Sequence, residues 1–374
     1  MESTSKRATA DTPLKIGVGV PLSGIAAALG REMANAVQLA FDEANDAGGI
    51  NGRPIEAVIL DDQGREEEGE ALVKAFVDDT AAVAAVGHYN SNVTLRVAPL
   101  YAAAGMALVG PIVSNPALTH SGWGNIFRFT NSDDATGRAI ACHLVHQLAK
   151  NTVVLIASDT VYGKSMSREF ASAFECAGGS VLQRHTVTEG ETSFRSLVES
   201  FPREAGAIFY GGTFEGAPLL KEMRARKDDR LFATGDGCWD IGNFLEPAGS
   251  AAERGEGVLV LSACPQLGDV PGSLEFAARY ELRFGPIKNY AVNSFDAALT
   301  LIDAVRSASN DGSPTRDKVA SALWRTHRRG IAYERPIQWT ANGDNLAAVT
   351  ALHRIEGGRY RQISLVDRSL ADFR

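Results

Sequence analysis

The stretch Ser158 to Ser165 (SDTVYGKS) follows an apolar run and closes on Gly163-Lys164-Ser165, the ending of a loop that wraps its backbone around a nucleotide phosphate. Ser158 replaces the loop's first glycine, and Asp159 sets a carboxylate where phosphate charge must be neutralised. Gly17 and Gly19 also follow a strand-like run, yet Leu22 stands where a dinucleotide fingerprint needs its third glycine. Neither a GxSxG elbow nor an HExxH pair occurs. His143 and His146 share a helical stretch with Leu144, Val145 and Leu148 and have no acid cluster beside them, which favours packed or solvated rings over metal ligation. Cys142, Cys176, Cys238 and Cys264 lie far apart without a CxxC pair; they read as buried small hydrophobes, with one or two disulfides as the alternative. No complete catalytic set emerges, and no cofactor or metal is expected.

Binding chemistry is better represented. In open α/β sheets ligands settle beyond the carboxyl ends of the strands, where the unpaired N–H groups of helix N-termini favour an anion. Gly87-His88-Tyr89-Asn90-Ser91 follows one strand-like run, and Gly110-Pro111-Ile112-Val113-Ser114-Asn115-Pro116 follows the next. Each serine taken alone is a helix cap. Two on neighbouring strand ends suggest a carboxylate pocket. Further along, Tyr162 precedes a helix, Gly211-Gly212-Thr213 follows Tyr210, and Asp236 lies between Gly235 and Gly237. Asp236 is either an exposed turn residue or an acid that needs a cation when buried.

These residues hang on a regular alternation. Leu14 to Leu22 reads as a buried strand, and Met33, Ala36, Val37, Ala40, Phe41 and Ala44 repeat at helical spacing up to the Gly48-Gly49 stop. Strands at Ile55 to Leu60, Ala82 to Val86, Ala107 to Val109 and Ile126 to Thr130 follow, with a helix at Glu70 to Val77 and another that Ser91 N-caps and that runs to Ala104. The pattern restarts with strands at Thr152 to Ala157, Ser180 to Val187, Ala207 to Tyr210 and Val258 to Leu261, and helices at Ser165 to Cys176, Phe194 to Ser200 and Ala217 to Ala225. Three helices (Leu274 to Phe284, Ala291 to Ser307, Thr315 to Trp324) precede a hairpin of Ala348 to Ile355 with Tyr360 to Val366. Strand-helix units in series imply parallel sheets covered on both faces, and two series imply two similar lobes.

The totals agree. A chain of 374 residues exceeds one ordinary core and suits two. With 37 basic and 45 acidic residues the net charge is −8, which argues against nucleic-acid and anionic-membrane partners. No apolar run reaches the roughly 18 residues of a membrane span. The polar start MESTSKRATADTP reads either as a mature chain whose leader has been removed, placing the protein outside the cytoplasm, or as a native cytosolic start.

KIGVGVPLSG, DAGGINGRPIEAVILDD, AVGHYNSNVT, VGPIVSNPALT, FRFTNSDDATG, SDTVYGKS, FYGG and ATGDG occur in one order over about residues 14 to 350. In that order and spacing the chain resembles the leucine/isoleucine/valine-binding branch of the type I periplasmic binding proteins. The resemblance implies a Venus flytrap with three crossovers, near Asp133, Cys264 and residues 340–347. It implies a tail over 1–13, a first lobe of 14–133 plus 265–343, and a second of 134–264 plus 344–374. It implies no enzymatic activity, a small α-amino acid (neutral, branched-chain or related) as ligand, and the membrane permease of an ABC importer as partner. Carried over by position, Ser91, Ser114, Tyr162 and Asp236 hold the carboxylate and amino group of the ligand, with Asp236 as the ammonium-binding acid; Ile112 and Thr213 are further expected ligand-binding residues. The chain also departs from the family pattern, and Asp236 replaces a longer Glu. Leu29 and Thr213 stand where leucine-type members carry tyrosines of the side-chain pocket, and Gly64 and Asn90 fall on a cysteine pair that can be bridged, so that bridge is absent. Leu29, Asn90 and Trp239 are the expected additional wall. A cytosolic sensor of the same fold and a nucleotide-binding enzyme using the Ser158 loop are the competing expectations.

Overall fold

A computed structural model describes residues 12–333 and 335–367. Most of the expected tail, residues 1–11, and the last seven residues assigned to the second lobe, 368–374, lie outside the described residues.

The first half alternates without interruption: β1 (Leu14–Val20), α1 (Ala27–Asp46), β2 (Ile55–Asp61), α2 (Glu66–Asp78), β3 (Ala82–Gly87), α3 (Ser91–Ala103), β4 (Ala107–Gly110), α4 (Ala117–His120) and β5 (Ile126–Arg128). These strands form one parallel sheet in the order β2-β1-β3-β4-β5. A second series follows with α5 (Asp133–Cys142), β6 (Thr152–Ser158), α6 (Val161–Cys176), β7 (Ser180–Val187), α7 (Arg195–Glu199), β8 (Ala207–Gly211), α8 (Gly216–Ala225), β9 (Leu231–Thr234), α9 (Glu246–Ala248) and β10 (Val258–Ser262). Then come α10 (Ser273–Phe284), α11 (Ala291–Ala308), α12 (Arg316–Leu323), the short pair β11 (Arg328–Arg329) and β12 (Pro336–Ile337), and the hairpin β13 (Val349–Glu356) and β14 (Arg359–Asp367). The second sheet runs β14-β13-β10-β9-β8-β6-β7; it is parallel from β10 to β7 and antiparallel at the terminal hairpin.

The central strands of each sheet are buried on both faces, as in parallel sheets covered by helices, while the edge strands β7 and β14 alternate exposed residues. Met33, Val37, Phe41, Phe295 and Ile302 pack over one face of the first sheet, and Leu72, Phe76, Val97 and Tyr101 over the other. Phe170 and Phe174 cover one face of the second sheet, while Leu219, Met223 and Phe244 cover its reverse. The apolar repeat in α1 is thus its buried stripe. After β10 the chain returns to the first core through α10, α11 and α12, and it passes again to the second sheet between β12 and β13.

Three local expectations are corrected. Ser91 is not a cap: Asn90 holds that position in extended backbone, no side chain caps α3, and Ser91 is its first helical residue. Helix α6 begins at Val161, four residues before Ser165, because Thr160 caps it by accepting from the Gly163 N–H at 3.0 Å. All four cysteines are free; Cys238 and Cys264 are buried, but Cys142 is half-buried and Cys176 is exposed.

Candidate functional site

The carboxyl ends of both sheets face one cavity of about 460 Å³. The first lobe contributes the loops after β1, β2, β3 and β4; the second contributes those after β6, β7, β8 and β9.

Asp236 is the buried acid of a second-lobe wall that also carries Asp159 and Glu189. It opens a single 3-10 turn after β9 and is 6% exposed. The Tyr162 hydroxyl donates to its Oδ1 at 2.7 Å and accepts from the Gly237 N–H at 2.9 Å. A Cβ on Gly237 would stand 2.5 Å from the Gly212 carbonyl oxygen, so only glycine lets this turn lie against the loop that carries Thr213. The Tyr290 hydroxyl donates to the Asp236 carbonyl at 3.1 Å, which ties α11 of the first lobe to the same turn. Burial pushes the Asp236 carboxyl above its ordinary range, against the Tyr162 hydrogen bond. It raises the Tyr162 phenol further, helped by Asp236 and Asp133.

The first-lobe wall is neutral at the facing position. Ser91 begins α3 with 5% exposure, and its hydroxyl has no hydrogen-bond partner among the described residues. Ser114 is 2% exposed, and its carbonyl accepts from the Asp133 N–H at 2.8 Å. A helix N-terminus with two small hydroxyls receives a carboxylate without needing a cation. Opposite them lies a buried acid already bonded to one phenol. The pair of walls therefore suits a small zwitterion.

Seven of the nine residues expected from sequence line this cavity: Asn90, Ser91, Ile112, Ser114, Tyr162, Thr213 and Asp236. Two do not. Leu29 is buried within α1 and is not part of the lining, while Ile25 and Ala26 reach the cavity from the preceding turn. Trp239 turns away beyond the 3-10 turn, its ring 4.0 Å from His353 and 4.3 Å from Tyr360. The structure adds Tyr89, Arg65, Glu189 and Tyr290 to the lining. Tyr89 adjoins the strand end already singled out and was readable there; Tyr290 comes from a distant helix that no local signal links to the site. Near the Ser158 loop, Lys164 is exposed and the Thr160 hydroxyl occupies the nest's N–H in capping α6, so the phosphate-loop expectation has no cradle.

A family model described as periplasmic binding protein matches residues 13–358. The chain belongs to the periplasmic binding protein family. Within that family it is similar to an amino acid binding protein of Pseudomonas aeruginosa, 26% identical over 353 residues that cover 93% of this chain and 92% of that one. It is also similar to the Leu/Ile/Val-binding protein homolog 1 of Brucella suis, 28% identical over 312 residues, or 82% of this chain and 81% of the relative. Among solved structures, the leucine binding protein of Thermotoga maritima superposes with a TM-score of 0.84 at 24% identity, covering 95% of this chain and 99% of that one. A solute binding protein of R. palustris in complex with benzoate superposes at 0.83 with 19% identity, over 95% and 96%. Both establish the fold: two α/β lobes of the type I kind.

Proposed function

We propose that this protein is the extracytoplasmic ligand-capturing component of an ABC importer and that it closes its lobes, 14–133 plus 265–343 and 134–264 plus 344–374, around a small α-amino acid. No bond is made or broken; the protein carries the ligand to a membrane permease. The observation that carries this reading is the buried Asp236–Tyr162 pair facing the unpartnered Ser91 and the Ser114 loop across one cavity. A zwitterion leaving water must find a fixed counterpart at each end. Ser91, Ser114 and the start of α3 receive the carboxylate; Asp236, oriented by Tyr162, receives the ammonium; Ile112 and Thr213 flank the ligand. Contact with both lobes favours the closed arrangement, since a ligand shifts an equilibrium toward the state it binds better.

The likeness to a benzoate-bound protein makes Asp236 the discriminating residue, because an aromatic acid carries a carboxylate and no ammonium. Calorimetry on wild type and Asp236→Ala compares an amino acid with its des-amino analogue. Removing one partner of a buried hydrogen-bonded charge pair costs about 2–5 kcal/mol, roughly 30-fold to several thousand-fold in affinity. That loss is expected for the amino acid and not for the analogue. Equal losses for both would remove the amino acid from the site.

A further inference from the structure

With the head group of the ligand assigned as above, the wall left for its side chain combines apolar Ile25, Ala26, Val161 and Phe214 with a polar stretch from the loops after β2 and β3. The Asn90 carboxamide lies there with Oδ1 buried and unpartnered, and its Nδ2 donates to no group among the described residues. A Cβ at position 64 would approach Oδ1 to 3.1 Å, close enough to press the carboxamide aside slightly, and the φ of +66° there favours glycine. The loop is fixed from behind. Asp62, fully buried, accepts from the Gly64 N–H at 2.9 Å and from His88 Nδ1 at 2.6 Å. Next to Gly64, Arg65 lines the same cavity and pairs with no acid among the described residues.

We infer that the side chain of the ligand ends in a carbonyl oxygen, of a carboxamide or a carboxylate, received by Asn90 with Arg65 beside it, and is not a branched hydrocarbon. This rests on the amino-acid reading of the same cavity. A hydrocarbon placed there would seal the Asn90 amide from water with nothing to bond, and a buried polar group left unpaired is costly. An oxygen end group instead meets the Asn90 Nδ2 N–H and the Arg65 guanidinium, and a carboxamide end group also offers an N–H to the unpartnered Oδ1. In a site built around hydrogen bonds, the analogue that lacks the matching atom is rejected more strongly than a smaller hydrocarbon is by an apolar pocket.

The test is a thermal-shift screen of the common amino acids on the full chain, followed by calorimetry of L-glutamine, L-glutamate and L-leucine on wild type, Asn90→Leu and Arg65→Gln. Wild type is expected to bind glutamine or glutamate about ten-fold to a hundred-fold more tightly than leucine, and Asn90→Leu to bring the ratio to unity or invert it. Arg65→Gln separates the two sources of the oxygen: it weakens glutamate selectively if the end group is a carboxylate, and both ligands little if it is a carboxamide. Leucine or valine binding wild type as tightly as either oxygen-bearing ligand, or a ratio unmoved in Asn90→Leu, overturns the inference and leaves the amino-acid site standing. No binding by any amino acid overturns both.

Discussion

Arg128–Asp344 and Asp133 are equally buried and close along the crossover region, yet the protein treats them oppositely. Asp344 Oδ1 accepts from Arg128 Nε at 2.9 Å, from Arg128 Nη2 at 2.6 Å and from the Thr119 hydroxyl at 2.8 Å. The remaining guanidinium nitrogen donates to the carbonyls of Ser114 and Asn115 at 3.1 and 2.8 Å. Asp133, by contrast, has neither carboxylate oxygen in a hydrogen bond among the described residues. Burial first, and the Asp236 charge second, push its carboxyl up to about 7; the Ser114 and Ser165 hydroxyls lower it from nearby without reaching hydrogen-bonding geometry, and Arg128 lowers it further. The crossover that joins the lobes is saturated by the protein's own groups. The layer beside the cavity instead keeps a buried carboxyl whose oxygens have no hydrogen-bond partner among the described residues.

The largest effect that can break this contrast is expected at Arg128. Arg128→Met strands the Asp344 carboxylate without its cation, and breaking a buried pair from one side costs roughly 3–5 kcal/mol of stability. Urea unfolding should show it. Arg128→Met with Asp344→Leu should recover much of the loss, because replacing both partners leaves no buried charge. A single variant as stable as wild type would mean that the crossover network is ornamental and that the two regions do not differ in kind.

The second measurement sharpens the other side. Asp133, Glu32 and Asp296 all have carboxyls raised by burial, to about 7, about 7 and about 6. A carboxyl whose folded value lies above its unfolded one near 3.8 gives stability that is full below pH 4 and lost as pH rises through the folded value, here near 7. His353, lowered to about 4 by burial, works in the opposite sense and loses stability as pH falls through that value. The wild-type profile therefore mixes signs, and only a difference is diagnostic. Asp133→Asn should remove up to about 1.4 kcal/mol per pH unit of the decline between pH 4 and 7. The glutamine variant of Glu32, whose carboxylate already accepts from the N–H groups of Lys288, Asn289 and Ala291, should instead lose these partners' fit and destabilise at every pH. Parallel profiles for wild type and Asp133→Asn would place Asp133 ionised in a satisfied environment and erase the contrast.

Much of this was legible from residue order. Strand, turn and helix in sequence define the carboxyl edge of a parallel sheet, so Ser114, Tyr162, Thr213 and Asp236, each just past a strand, converge on one edge whatever the loops do in detail. Side-chain direction within a turn was not legible. Leu29 and Ile25 are four residues apart around the start of α1, and only the entry angle of the helix decides which faces the cavity. Trp239 is three residues from Asp236, but the 3-10 turn rotates its ring onto His353 and Tyr360. Tyr290 reaches Asp236 across 54 positions of sequence, a proximity that only the return of the chain to the first lobe creates. Asp133 and Asp134 are the first two residues of α5, and only the packing of that helix decides that Asp133 is the one fully buried.

The smallest expected effect is the one that decides what Ser91 is for. As a helix cap its hydroxyl would bond an N–H of the first turn, and its loss would cost about 1 kcal/mol of stability. The backbone places Asn90 at the cap, leaves Ser91 inside the helix, and gives its hydroxyl no partner among the described residues. Ser91→Ala should therefore leave urea unfolding unchanged and even favour α3 slightly, since alanine is the better helix former. Ligand affinity should fall by roughly 0.5–1.5 kcal/mol, the net worth of one hydrogen bond, or up to twice that if the carboxylate depends on it as a charged acceptor. The loss should be the same for an amino acid and for its des-amino analogue, because both carry the carboxylate, whereas Asp236→Ala separates the two. A Ser91→Ala protein that unfolds more easily but binds as wild type would return this residue to the scaffold, and with it the anion end of the cavity would pass to Ser114 and the N–H groups of α3 alone.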